Sequence, residues 1–566
     1  MVWSNKGGIE IYYTLDIEVY NYDWLVVAKD LSTGERFHVW NDNKAVKDFH
    51  NANNVYIGFN IKHYDQYILK AILLGAEPQQ IKKINDWIIK DQQQGFEHWF
   101  LKGKYLRINS IDVFDDMQAG MSLKSIEGHL FRNIVETSVP FDIDRPLTET
   151  ERDSTLFYCT NDVNESENIF RLREDYFQTK IHLAEMANLD PVEAMGMTNA
   201  KLTAKFLGAE KIVTRDEREY VFPPEINQEI MPKQIEFFSQ IYNSDLSDDD
   251  LFDTSAVIDL GGLKVKYGWG GVHGGVENFV SNGEVILNYD VASLYPSLML
   301  EYGYLSRAIR DPEKYRNTYN DRMEAKRQGN KQVSDALKLV LNTAFGAMIN
   351  RYNPLYDPLM GRSVCITGQL LLTELALKLY ALGGVKLINF NTDGIMFAIE
   401  PSKEKAAIQV IEEWEKKTRL TLERSEIASI IQKDVNNYWE VDGEGKEKTK
   451  GGYLTYGISK VGAWSINNNF TIVKKAIINN FKGISARRTI EECNDIKEFQ
   501  LIAKAGSKYR EAYHEVDGEK VEIQKVNRVY ATKDTRYGTL YKVKVVDSSV
   551  AKIEMIPQHA IIDNEN

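Results

Sequence analysis

The apolar run Val285–Tyr289 reads as a buried strand that delivers one carboxylate, Asp290, at its end. A helix is predicted directly after it, with Pro296 tolerated in the first turn. Residues 9–19 read as another strand, on which Asp16 and Glu18, two apart, point to one face. A strand ending near Asn60 is followed by a helix starting at about Asp65. Helical spacing runs from about Thr148 to Arg173 and sets Tyr158 and Asp162 on one face. A polar helical stretch after Asp311 breaks at Gly329 and Asn330, and a second helix opens near Ser334 and continues to about Asn350. Residues 367–382 read as a further helix. Two apolar strands over 385–399 meet at Asn391, Thr392, Asp393 and Gly394, a hairpin signal that exposes Asp393 at the turn. Residues 175–255 mix helical pattern with acidic loops, and the acidic run 245–253 predicts a solvated loop near a domain boundary.

Length changes this picture first: 566 residues exceed what one core supports, so several domains are expected. No apolar run is expected to reach the length of a membrane span, and residues 1–8 lack the apolar core of a signal peptide. The expectation is therefore a cytoplasmic protein with no membrane partner. Cys159, Cys365 and Cys493 lie far apart, which favours reduced thiols over a zinc or iron–sulfur site. The formal net charge of −13 argues against a nucleic-acid partner, but its distribution does not. From Lys460 to Ile553 the chain carries 18 Lys and Arg against 11 Asp and Glu, which suits backbone binding by one basic module.

The candidate chemistry rests on acidic and cationic groups brought into register. Asp290 beside the free N–H groups of a helix start can hold a metal and the phosphates it bridges; a capping Asp is the plainer reading. Two carboxylates in an apolar strand, Asp16 and Glu18, are costly unless they hold a cation, although edge strands also carry such pairs. Asp65 could be a further ligand or a helix cap. Arg322 and Lys326 are i, i+4 on one helix, and Lys338, Asn342 and Phe345 share a face of the next. Turned toward one site, the two helices make a triphosphate clamp; otherwise they are a surface hairpin. The glycine-rich run 261–276, with Tyr267, Trp269 and His273, implies close backbone approach to a ligand or a bulged hairpin. Asp112, Asp115 and Asp116 read as a loop-facing acidic patch.

Taken together, these motifs resemble the family B (alpha-like) DNA polymerases. Asp290 with Ser293, Leu294, Tyr295, Pro296 and Ser297 resembles the first polymerase motif, and Arg322, Lys326, Lys338, Asn342, Phe345 and Gly346 resemble the fingers, where Phe345 replaces a usual Tyr. Asn391-Thr392-Asp393 resembles the third motif, usually Asp-Thr-Asp. Residues 9–19, 56–66 and 158–163 resemble, in order, the three motifs of the DEDDy 3′–5′ exonuclease domain.

The resemblance implies an α/β (α+β multidomain) chain with an RNase H-like exonuclease domain followed by a right-hand polymerase of palm, fingers and thumb. The implied layout is exonuclease 1–185, connecting region 186–255, palm 256–305, fingers 306–350, palm 351–459 and thumb 460–566. Asp16, Glu18, Asp65 and Asp162 would bind two Mg²⁺, with Tyr158 orienting the attacking water. Asp290, Asp393 and the Val291 carbonyl would bind two more, Mn²⁺ being able to substitute. Ser293, Leu294, Tyr295, Arg322, Lys326, Lys338, Asn342 and Phe345 would bind the nucleotide. Tyr267, Gly270, Gly271, Lys433, Tyr438 and Lys450 would contact DNA.

The implied activity is DNA-directed DNA synthesis with 3′–5′ proofreading by a monomeric, phage-encoded enzyme. Its partners are primer–template DNA and dNTPs, with replisome proteins (helicase, primase, single-strand binding protein) as further ones. The short spacing between the motifs leaves no room for the insertions of the protein-primed branch, so an ordinary nucleic-acid primer is expected. Asn391 and Phe345 keep open a nuclease with a decayed polymerase half, and a non-catalytic primer–template binding factor is the other reading.

Overall fold

Strand Ile11–Val19 forms because its apolar residues, Leu15, Ile17 and Val19 among them, bury into a core beneath the helices Asp65–Leu73 and Pro78–Ile89. The computed structural model describes all residues except 1–3, 6–7, 214–219, 243–249, 251–252, 460–463 and 566. Much of the N-terminal stretch, most of the acidic run 245–253 and the start of the basic block at Lys460 lie outside the described residues. The fold is mixed α/β with several sheets, and the chain splits into two compact units.

The first unit comprises Met1–Thr198, Tyr456–Val473 and Thr489–Asn566. Its five-stranded sheet runs Arg36–Trp40, Trp24–Asp30, Ile11–Val19, Asn54–Gly58, Asn109–Asp112. The first three strands are antiparallel and the last two pairings parallel. Helix Glu149–Leu172 starts from a capping box at Thr148 and Glu151 and packs Cys159 and Val163 on Leu25 and Val27. The strand expected to reach Asn60 ends at Gly58, and the helix after it starts at Asp65.

Residues 460–566 divide between the two units: Lys474–Arg488 clusters with the second and the remaining described residues with the first. Apolar burial contributes to this division. Ile502 and Val526, on neighbouring strands Leu501–Lys504 and Val526–Ala531, pack against Ile134. Glu136 accepts the backbone N–H of Lys525 and Val526, and Arg528, a member of the basic block, is buried and donates to Gln500 and to the Arg132 carbonyl. Helices Glu174–Met186 and Pro191–Met195 pack together within the first unit.

The second unit comprises Asn199–Thr455 and Lys474–Arg488. Its ten-stranded sheet runs Glu447–Lys450, Asn437–Asp442, Leu422–Asp434, Val285–Val291, Gly394–Ile399, Val385–Phe390, Val272–Gly275, Leu263–Gly268, Ser255–Leu260, with Phe279–Val280 added to Leu422–Asp434. Antiparallel pairing sets Asp290 opposite Gly394, next to Asp393. Helices Pro312–Arg327 and Lys331–Met348 form a hairpin with the break at Gly329, whose φ is 71°. The second helix opens at Lys331 rather than Ser334, capped by the Asn330 side chain. The helix expected over 367–382 spans Pro358–Ala381, because Pro358 suits a first helical turn. It is long and apolar enough to cross a membrane, which corrects the expectation that no such run exists, but most of it is buried as a core helix.

Candidate active sites

Each unit brings acidic side chains together. In the first, alternation along Ile11–Val19 sends Asp16 and Glu18 to the same face. Asp65, the first residue of its helix, accepts the Ile17 N–H at 3.1 Å, which ties that helix to the strand beside the pair. Helix Glu149–Leu172 supplies Tyr158 and Asp162 one turn apart, and between them the Asn161 amide donates to Glu127 Oε1 at 3.3 Å. The five side chains singled out in the sequence lie near enough to act on one another's charge.

Three further residues join them. Lys124 pairs with Asp162 and, at 3.1 Å, with Glu127, and its ammonium stands 4.7 Å over the Tyr158 ring. The Cys159 thiol donates to Asp16 Oδ2 at 3.2 Å, and ligand atoms of Asp16, Glu18 and Cys159 lie within 4.8 Å of one another. The local sequence marks Lys124 and Glu127 only as an i, i+3 pair on helix Leu123–His129, and Cys159 only as one position of a helix.

Burial controls the electrostatics here. It pushes the Asp16 carboxyl up to about 7, with the nearby Asp162 adding to the rise. Burial and then the Asp16 charge raise Glu18 and Asp65 well above the carboxylate range, and burial raises Asp162 against the pull of Lys124. Three buried carboxylates and the partly exposed Asp16 share one lysine, too little positive charge to keep all four ionised. An oxygen-rich set of this kind suits hard divalent cations. Asp112, by contrast, does not face a loop: it is buried and accepts the N–H groups of Asn60, Lys62 and Phe114. Asp115 pairs with Lys62, and Tyr176 donates to Asp116.

In the second unit, the Val291 N–H donates to the Asp393 carbonyl at 2.7 Å, which joins the end of one strand to the turn of the adjacent hairpin. Asn288 donates to Asp290 Oδ2 at 2.8 Å. Burial and then the Asp393 charge raise the Asp290 carboxyl. Ser293 takes a left-handed backbone, φ 51°, at the start of helix Leu294–Glu301, a strain of about 1 kcal/mol that recurs at functional turns.

A cleft of about 610 Å³ opens beside Asp393; Asp290, one residue before the lining residue Val291, is not itself part of its wall. Its walls include Val291, Ser293, Leu294 and Tyr295 from the first motif, Arg322, Lys326, Lys338, Asn342 and Phe345 from the helical hairpin, and Asp393. Arg322 Nη1 donates to Ser293 Oγ at 3.0 Å, and its Nε has no partner. The Tyr295 ring lies 4.1 Å from that of Phe345, and its hydroxyl donates to the Gly270 carbonyl at 3.1 Å. Tyr319, Met323 and Glu423 also line the cleft and were not singled out; Tyr319 stands one helical turn before Arg322.

The residues expected to touch DNA divide. The glycine run folds as the strand pair Leu263–Gly268 and Val272–Gly275, and Gly270, in the turn, is exposed. Gly271 packs so close that an added Cβ would stand 2.5 Å from Thr392 Oγ1. Tyr267 departs from expectation: it is fully buried, with its hydroxyl bonded to Thr373 and Gln234, so its side chain is not offered to a ligand. Tyr438 is buried as well, under Lys448 and Lys450. Lys433 is exposed and paired with Asp434 at 2.9 Å. Lys450 is half-buried opposite Tyr438, and burial lowers its pKa.

No family model matches the chain. Over 136 residues, 23% of its length, it is 26% identical to DNA polymerase II of Escherichia coli (strain K12), and the match spans only 17% of that protein. Its fold aligns with the family B DNA polymerase of the hyperthermophilic archaeon Pyrobaculum calidifontis at a TM-score of 0.40, with 13% identity, over 98% of this chain and 76% of that one.

Proposed function

We propose that the protein is a DNA-directed DNA polymerase of family B type that extends a primer 3′-OH, with a 3′–5′ exonuclease centre in its first unit. The observation that carries this reading is the cleft in which Asp393, Tyr295, Arg322, Lys326, Lys338, Asn342 and Phe345 share one surface. Cations on one wall and acidic ligands on the other suit a triphosphate whose charge is neutralised from both sides. The limited sequence match to a DNA polymerase points the same way.

Asp290, Asp393 and the Val291 carbonyl would hold Mg²⁺ in this cleft, and Asp16, Glu18, Asp65 and Asp162 would hold it in the acidic centre. Bound there, Mg²⁺ would supply Lewis-acid activation of the attacking oxygen and counter-charge for phosphate. The chain's own residues do the rest. Arg322, Lys326 and Lys338 bind the triphosphate oxygens, and Asn342 and Phe345 orient the nucleotide against Tyr295. The Tyr295 ring occupies the space a ribose 2′-OH would need. In the acidic centre, Tyr158 orients the attacking water beside Asp162. Residues 349–357 are all that separate the helical hairpin from the next helix, which favours a nucleic-acid primer over a docked protein one.

A labelled primer–template incubated with Mg²⁺, with and without dNTPs, tests this reading. Extension with dNTPs and shortening without them are expected. Shortening alone would reduce the protein to a nuclease, and a mobility shift with no change in length would make it a binding factor.

A further inference from the structure

Between helix Pro78–Ile89 and strand Asn109–Asp112 the chain exposes an unusual set of rings. Phe96 is 54% exposed, Trp99 67% and Tyr105 91%. Soluble surfaces carry single exposed rings routinely, but three within ten residues are not explained by core packing. Cations are interleaved with them: Lys102, Lys104 and Arg107 are all exposed, against the single acidic residue Glu97 over residues 95–107.

The segment is held firmly. His98 and Phe100 are buried, and Trp99 stands edge-to-face on Phe100 at 5.7 Å. Lys104 lies 3.7 Å over the Phe100 ring, and the Lys104 N–H closes a turn on the Leu101 carbonyl around Gly103, φ 74°. Its position is fixed as well. Gly95 packs so tightly on Tyr67 that an added Cβ would stand 2.5 Å from that ring. Tyr67 lies in the first turn of the helix that begins with Asp65, so the segment packs on the element that supplies one acid of the centre.

We propose that Phe96, Trp99 and Tyr105 form a stacking platform, rimmed by Lys102, Lys104 and Arg107, that holds single-stranded DNA beside the acidic centre. Rings interleaved with cations match a chain of bases linked by phosphates: the rings take the base faces and the cations the backbone. The cationic rim gives the platform the charge opposite to that ligand, although the protein as a whole is acidic. The proposal rests on the nuclease reading only for its purpose, which is to hand a strand's 3′ end to Asp16, Glu18, Asp65 and Asp162.

The test uses the full chain, 5′-fluorescein-labelled (dT)15 and EDTA, which stops chemistry. Trp99 is the one strongly exposed tryptophan among the described residues, so its emission reports the platform directly. Adding (dT)15 should quench tryptophan fluorescence. Trp99→Phe should keep affinity, because a ring remains, and lose most of the quench. Trp99→Ala with Tyr105→Ala should weaken binding by about tenfold or more at unchanged melting temperature. Quenching that survives in Trp99→Phe, or unchanged affinity in the double variant, overturns the proposal. So does a wild-type dimer that the double variant dissociates, since that would assign the rings to a second copy. Failure of the wild type to degrade (dT)15 when Mg²⁺ is restored would count against the nuclease reading and leave the fluorescence result standing.

Discussion

Gly394 makes room for Asp290. The two residues are directly opposed across the ladder between Val285–Val291 and Gly394–Ile399, and a Cβ on Gly394 would overlap Oδ1 of Asp290. The hairpin turn therefore needs glycine for space, not for backbone angle. Gly394→Ala should displace the Asp290 carboxylate and slow primer extension by about a hundredfold or more, as loss of a metal ligand would. Shortening of single-stranded DNA should stay within about twofold of the wild type, because its residues lie in the other unit. Normal extension by Gly394→Ala would mean that Asp290 does not need this position.

The two acidic centres should separate by mutation. Asp16→Ala with Glu18→Ala is expected to remove 3′–5′ shortening and spare extension, and Asp393→Ala the reverse, each loss amounting to several kcal/mol of transition-state stabilisation. If either variant lost both activities while still folded, the centres could not be independent.

The buried acids of the first unit predict a pH effect. Burial raises Asp16 from 3.8 to about 7, so the folded state binds its proton more tightly than the unfolded chain. Stability is then undiminished at low pH and falls as pH climbs from about 4 through about 7, where the unfolded chain ionises freely and the folded one at a cost. Melting temperature in EDTA should decline over that window. Added Mg²⁺ should raise it most at the upper end, and Asp16→Asn should flatten the decline. A metal-free melting curve independent of pH would contradict the burial argument.

Sugar choice should depend on Tyr295, whose ring packs on Phe345 in the cleft. Tyr295→Ala should raise ribonucleotide incorporation relative to deoxyribonucleotide by tenfold or more, on the order of 1.4 kcal/mol of discrimination. Tyr302→Ala serves as the control, since its hydroxyl donates to the Thr418 carbonyl and it does not line the cleft. Equal discrimination in wild type and Tyr295→Ala would assign the sorting to another residue.

Tyr267 is predicted to matter for stability alone. Tyr267→Phe removes the hydroxyl that bonds Thr373 and Gln234 and should cost about 1 kcal/mol or more, read as a lower melting temperature. Primer–template affinity, measured by anisotropy, should not change. A selective loss of affinity at unchanged stability would return Tyr267 to the DNA interface.

What the chain's local pattern determined was direction. Alternation set Asp16 and Glu18 on one face, four-residue spacing did the same for Tyr158 and Asp162, and the Asn391–Gly394 turn placed Asp393 at a hairpin tip. These features depend on backbone geometry over a few residues, which periodicity encodes. The hairpin bearing Arg322, Lys326 and Lys338 was legible for the same reason. Only the tertiary structure decided which of these faces were covered. Tyr267 looked like part of an exposed glycine motif until helix Pro358–Ala381 supplied Thr373 as a partner. Arg528 looked like surface charge until Gln500 and the Arg132 carbonyl enclosed it. Lys124 looked like any helical lysine until the fold set Asp162 against it. Burial and pairing between residues far apart in sequence arise from long-range packing and desolvation, and no short window of sequence carries them.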